Sequence, residues 1–196
     1  MDITTRVQAV LLKPKEEWVK IKAEPSTVAE LFTGYAMILA AIPAVFQFLG
    51  NILVGRRLPM IGVFRWPLGR ALGNAIFYYI FALVTVYLFA LIINELAPNF
   101  GSAKNMTSAL KLSVYSMTPG WVAGVLYIFP VLWIVGILAS LYGLYILYLG
   151  FDTPMMETPK DKVAGYMAVS VVVAIVLYVV FTWILGGIFA VRYAPI

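Results

Sequence analysis

The chain has 196 residues, 63% of them hydrophobic and 12% charged, with a formal net charge of +5. A soluble domain is about half apolar and about a quarter charged, so this composition excludes an ordinary water-soluble fold and points to lipid as the solvent. Cysteine and histidine are both absent, which excludes disulfides, thiolate or imidazole metal sites and histidine-based catalysis.

In a soluble chain the basic excess would read as nucleic-acid binding. Here the basic residues flank apolar runs, so lipid head groups are the expected contact and nucleic acid is not. The start shows no cleavable signal pattern. Asp2 is acidic, and the apolar patch Val10–Leu12 is cut short by Lys13 and Pro14, so the first long apolar run is expected to act as a signal anchor.

Residues 1–30 are expected to form an amphipathic pre-membrane segment. Asp2 suits a helix N-cap, and Val7, Val10 and Leu11 share a face. Pro14 ends that helix and can open the next at its first position. Trp18 and Ile21 lie three apart on one face, with Glu16, Glu17, Lys20 and Lys22 around them. The pattern predicts one or two helices on the membrane surface with lysines toward the head groups. The same periodicity fits a short soluble helix packed on the loops.

Residues 31–196 hold five apolar stretches, at about 31–53, 71–93, 108–129, 131–151 and 164–191. About 20 helical residues cross a hydrocarbon core of about 30 Å, so the reading is an all-α integral membrane bundle of five transmembrane helices. In the first, Pro43 is expected to kink the helix, and Gln47 and Asn51 lie four apart on one face. Such amides usually bond to another helix; lining a polar pathway is the alternative. A basic loop with Arg56, Arg57, Arg65 and Arg70 follows, and its apolar part Ile61–Pro67 is expected to dip into the interface. The second stretch is uncharged, carries Asn74, opens on the small pair Gly69 and Gly73, and ends at Asn94 and Glu95.

The third stretch carries Lys111 in its first turn and is interrupted at Pro119-Gly120, beyond which Gly120 and Gly124 form a GxxxG pair. Lys111 is expected to snorkel to the interface, with pairing to Glu95 as the alternative. In the fourth, Gly136, Ser140 and Gly143 make a small-residue seam, and Tyr142, Tyr145 and Tyr148 recur as an interfacial belt. A turn at Asp152–Val163, stiffened by Pro154 and Pro159, leads to the fifth. Thr158 is expected to cap that helix, with Pro159 at its first position and Asp161 near its positive end. A ligand held by Asp152, Lys160 and Lys162 is the other reading of the turn. Arg192 ends the last stretch. A four-span rival makes residues 121–150 one helix kinked at Pro130, with residues 108–119 on the surface. For five spans, the balance of lysine and arginine favours a cytoplasmic N-terminus, although the arginine-rich first loop runs against it.

Three segments resemble the Yip family, the Rab-GTPase-interacting five-span membrane proteins, in its short prokaryotic branch. They are Tyr115-Ser116-Met117-Thr118-Pro119, the run Leu141–Gly150 with Tyr142, Gly143, Tyr148 and Gly150, and Thr158–Tyr166 with Pro159, Lys160, Lys162 and Tyr166. Pro14 and Trp18 fit the same pattern. The resemblance implies an all-helical bundle, a cytosolic N-terminus and a far-side C-terminus. For eukaryotic members it implies binding to prenylated Rab GTPases and a part in vesicle traffic. Their Asp-Leu-Tyr-Gly-Pro hallmark is absent; Pro25–Glu30 stands in that zone.

The functional expectation is a non-catalytic interaction or membrane-organising protein of the prokaryotic cytoplasmic membrane. No cofactor and no metal is expected. Its partners would be membrane lipid and another membrane or peripheral protein, with the small-residue seams compatible with self-association. A small transporter or channel is the alternative, with Gln47, Asn51, Asn74 and Lys111 as candidate polar lining. Catalysis would have to rest on carboxylate chemistry or on a formal Ser–Lys pair of Lys111 with Ser113 or Ser116.

Overall fold

The computed structural model describes residues 2–58, 62–153 and 155–190; Pro154, Ile61 and Arg192 lie outside them. Eight helices and one short hairpin are seen among these residues. Asp2 caps α1 (Ile3–Leu12), its carboxylate accepting from the Thr4 and Thr5 amides. Pro14 opens α2 (Pro14–Ala23), because its missing N–H belongs to the first turn, where no partner is needed. A capping box follows. Thr27 accepts from the Glu30 amide and Glu30 returns the bond, which starts the long helix α3 (Val28–Val54). This helix runs through Pro43 and widens into π-helical turns at Phe32–Ala36 and Gly50–Val54.

A two-stranded antiparallel ribbon, β1 (Arg56–Leu58) and β2 (Gly62–Phe64), stands where the sequence predicted an interfacial dip. Gly55 and Gly62 adopt positive φ at its ends, which a side chain would resist. Helix α4 (Leu68–Leu96) follows, then α5 (Met106–Ser116) and α6 (Thr118–Ala123). The chain then winds through two 3-10 segments, Gly124–Ile128 and Pro130–Leu132, into α7 (Trp133–Asp152). The last helix is α8 (Val163–Ala190).

Among the described residues, three stretches are long and apolar enough to cross a membrane: Val28–Val54, Leu68–Phe100 and Pro130–Asp152. Leu138 and Leu141 on α7, and Ile76, Phe77 and Ile80 on α4, stay about half exposed. In water such continuous apolar surface would aggregate; in lipid it is the expected exterior.

Neighbouring helices alternate in direction. Tyr79 donates to the Met37 carbonyl and Tyr87 meets Phe32, so α3 and α4 are antiparallel. Gly143 lies against the Ser116 carbonyl, Gly120 against Ser140 and Gly136 against Tyr127, so α5–α6 run antiparallel to α7. The rival single helix through residues 121–150 is therefore overturned. Phe129 is extended and Pro130 starts a new 3-10 turn, so the chain doubles back there. Nor do residues 108–119 lie on the surface: Ala109 through Ser116 are buried without a break.

The dense core sits at one end of the bundle. It gathers Leu31–Ala40, Val86–Ala97, Ala109–Tyr115, Ile146–Phe151 and Tyr166, closed over by Val10, Trp18 and Ile21 of the N-terminal helices. The opposite end is looser and carries the ribbon and the residue 124–132 link.

Candidate functional site

Two polar constellations stand out, one at each end. The first joins the N-terminal helices to the bundle. On α1, Arg6 lies one turn before Val10 on the buried face; on α2, Glu17 lies one turn before Ile21. Arg6 donates to Glu17 and to Glu24, and Lys20 bonds the second oxygen of Glu17 at 3.2 Å. The guanidinium also sits 5.8 Å from the centre of the Tyr115 ring. Charges so placed persist only when paired, because an unpaired buried ion costs several kcal/mol. Its hydrogen bond with Arg6 holds the Glu24 carboxyl below its usual value, although partial burial acts the other way.

Lys111 completes this cluster, which corrects both sequence expectations for it. It does not snorkel, being only 6% exposed. Its ammonium bonds the Ile21 carbonyl at 2.8 Å and the Glu24 carbonyl at 2.6 Å. These are carbonyls at the C-terminal end of α2, which lack partners within the helix and lie at its negative pole. Glu95 instead pairs with Lys104. Ser113 donates to the Val86 carbonyl and Ser116 to the Leu112 carbonyl. With Lys111 committed to α2, the formal Ser–Lys pair is not assembled.

The family-like residues surround this cluster. Tyr115 packs edge-on against Trp18 at 6.0 Å and against Tyr35 at 4.9 Å, and Tyr35 shares a hydrogen bond with Thr118. Trp18 donates to the Ile146 carbonyl at 2.9 Å, and its ring lies where a side chain on Gly150 would project. Pro119 is buried in the first turn of α6. Tyr142 donates to the Leu11 carbonyl, tying α1 to α7, and stacks obliquely on Tyr145; Tyr145 and Tyr148 face outward. Tyr166 donates to the Ile93 carbonyl and packs on Phe100 and Phe151. Thr158 does not cap α8, which begins only at Val163. It accepts instead from the Ser102 hydroxyl at 2.8 Å and is buried. The segment Pro159–Lys162 forms a separate turn, leaving Asp152, Lys160 and Lys162 exposed.

The second constellation lies at the other end. Gln47 and Asn51 project into a pocket of about 260 Å³ walled by Tyr78, Tyr127, Pro130, Trp133 and Ile137. Asn51 is 2% exposed, yet its side-chain nitrogen meets no hydrogen-bond partner in the protein, and neither does the buried amide oxygen of Gln47. The expected bond to another helix is thus not made. Asn74 sits one turn before Tyr78 on α4, also with a buried unpartnered oxygen, but does not line the pocket. Lys111 belongs to the opposite end, so the four candidate polar residues do not converge.

Close approaches shape this pocket. A side chain at Gly50 would strike the Tyr127 and Ile128 carbonyls, one at Gly124 would strike Pro43, and one at Gly136 would strike the Tyr127 ring. The small residues at 120, 124, 136, 140 and 143 therefore serve contacts inside the bundle. Gly69 and Gly73, expected to allow a close helix contact, meet nothing within 4 Å.

The residues that close the N-terminal cluster coincide with the family-like motifs, and residues 9–184 match the Yip1 domain family. The chain belongs to the Yip family. Inner membrane protein YohC of Escherichia coli strain K12 is 26% identical over 152 residues, covering 76% of this chain and 78% of that protein. YohC of Escherichia coli O6:H1 gives the same values. No solved structure matches. In this Yip-family chain, then, Tyr115, Gly150 and Tyr166 join helices, and Trp18 binds the N-terminal pair to α7.

Proposed function

We propose that this Yip-family chain is a non-catalytic protein of the cytoplasmic membrane, crossing it five times, that holds its N-terminal helices at the cytosolic face as a contact surface for another protein. One observation carries this reading. The pair α1 and α2 is fixed to the bundle by Trp18, Arg6, Glu17 and Lys111, yet turns Leu12 (79% exposed) and Val19 (62%) outward. Lys13, Lys15, Lys20 and Lys22 are exposed beside them, facing anionic head groups or an acidic partner. Rigid presentation lowers the ordering cost of binding, so such a surface suits recognition.

Five crossings are supported by the alternation of helix direction. Beyond the three long apolar helices, the broken α5–α6 pair runs against α7, and α8 is apolar along its described side chains. The relative named as an inner membrane protein supports the location. A photo-crosslinking residue at Leu12, activated in native membranes, tests the interaction reading. Discrete protein adducts are expected, and they should vanish with charge reversal at Lys15 and Lys20; adducts with lipid alone would contradict it.

The pocket at Gln47 and Asn51 favours the transporter alternative as the second reading. In that case purified protein in liposomes would pass a small solute well above empty vesicles, and Asn51→Leu would abolish the passage.

A further inference from the structure

Buried amides in a lipid-surrounded fold should find partners, because an unsatisfied polar group is costly away from water. Asn51 and Gln47 each present an unpartnered polar atom, one a donor and one an acceptor, to the same pocket. The walls are aromatic and aliphatic, and among the described residues no charged side chain lines them. Pro130 and Trp133 are shared with a second cavity of about 690 Å³, lined by Val54, Val63, Phe129 and Val131. A pocket holding two amides thus adjoins a wider groove walled mainly by apolar side chains, at the end of the bundle away from the N-terminal helices. Exposed Arg65 stands near Gly55, at the edge of that groove.

We infer that these two cavities together bind one membrane lipid, with a hydroxyl and an ester carbonyl at the amides and an acyl chain in the groove. The carbonyl accepts from the Asn51 nitrogen and the hydroxyl donates to the Gln47 oxygen, so both orphaned atoms are satisfied. The acyl chain lies along Phe129, Val131 and Val63. A hydroxyl beside an ester is the head of an uncharged diacylglycerol; in an anionic phosphatidylglycerol the hydroxyls stand across a phosphodiester from the esters. In the second the phosphate lies between those groups, and Arg65, exposed at the groove edge, is the cation that would meet it.

The test uses the full chain in nanodiscs and a diacylglycerol carrying a diazirine on one acyl chain, with labelled residues mapped by mass spectrometry. Labelling should concentrate on residues 129–133 and saturate. Unlabelled dioleoylglycerol or dioleoylphosphatidylglycerol should compete; the stronger competitor identifies which source the site prefers. Asn51→Leu should weaken labelling by about tenfold, the equivalent of roughly 1.4 kcal/mol for a lost buried hydrogen bond, with an unchanged melting temperature. Labelling spread evenly along the outer faces of α4 and α8 would overturn the inference. So would competition by free glycerol equal to that by the lipids, which would make the pocket a solute site. Competition on the wild-type chain decides the matter even if Asn51→Leu does not fold.

Discussion

Arg6 and Glu17 illustrate how a few charges can set the position of a whole segment. Each is nearly inaccessible, and each is compensated by the other. Removing one partner strands the other, so Arg6→Met should destabilise the detergent-solubilised protein by about 3 kcal/mol in an unfolding titration. Replacing Arg6, Glu17 and Glu24 together with apolar residues of similar volume should recover most of that loss, because Lys20 is exposed to water and Lys111 keeps its two carbonyl partners. Glu24 adds a pH dependence. Its carboxyl is held below the ordinary value of 4.5, so its contribution is complete above that value and is lost as pH falls through the lower folded value. Protection of α1 and α2 against hydrogen exchange, taken relative to the intrinsic rate at each pH, should fall below about pH 4.5, the ordinary carboxylate range, more in the wild type than in Glu24→Gln, which lacks this titration.

At the scale of the helix, glycines separate into two kinds that sequence spacing does not distinguish. A Cβ at Gly143 would stand 2.5 Å from the Ser116 carbonyl oxygen, a backbone atom that cannot swing away, whereas Gly73 faces open space. Gly143→Ala should therefore cost about 1–3 kcal/mol through overpacking. Gly73→Ala should be neutral or stabilising by up to about 1 kcal/mol, since alanine is the better helix former. Parallel unfolding curves of the two variants check this contrast. Apolar run length was enough to locate α3, α4, α7 and α8 in the sequence, and Pro119-Gly120 marked the break between α5 and α6. No Asn-Gly or Asp-Gly pair stands between Arg56 and Phe64, so the sequence of the ribbon reads only as a basic loop. The ionic cluster had left a trace: Arg6 shares the Val10 face and Glu17 the Ile21 face, and a charge on an apolar stripe signals a buried partner. Arg6 meets Glu17 only 11 residues on, but how the pair docks on the bundle depends on contacts across more than a hundred residues, such as Trp18 with Ile146, and no local pattern encodes these. The amide pair Gln47 and Asn51 was visible from its spacing. The aromatic walls around it were not, since they come from three other parts of the chain.

Seen whole, the molecule is asymmetric along its long axis. One end is closed by packed aromatics and paired charges beneath α1 and α2; the other holds unpartnered amides beside an apolar groove. In the proposed arrangement of five crossings, the closed end would face the cytosol and the pocket end the far side; the lysines at the closed end favour that orientation and the arginines of the 56–70 loop oppose it. Accessibility of single cysteines in intact cells tests this directly, since the described chain has no cysteine to interfere. Lys15→Cys and Asp161→Cys should resist a membrane-impermeant maleimide until the cells are opened, while Arg65→Cys and Arg192→Cys should react at once. Labelling of Lys15→Cys and Arg192→Cys from the same side would contradict an odd number of crossings, and with it the account of the two ends.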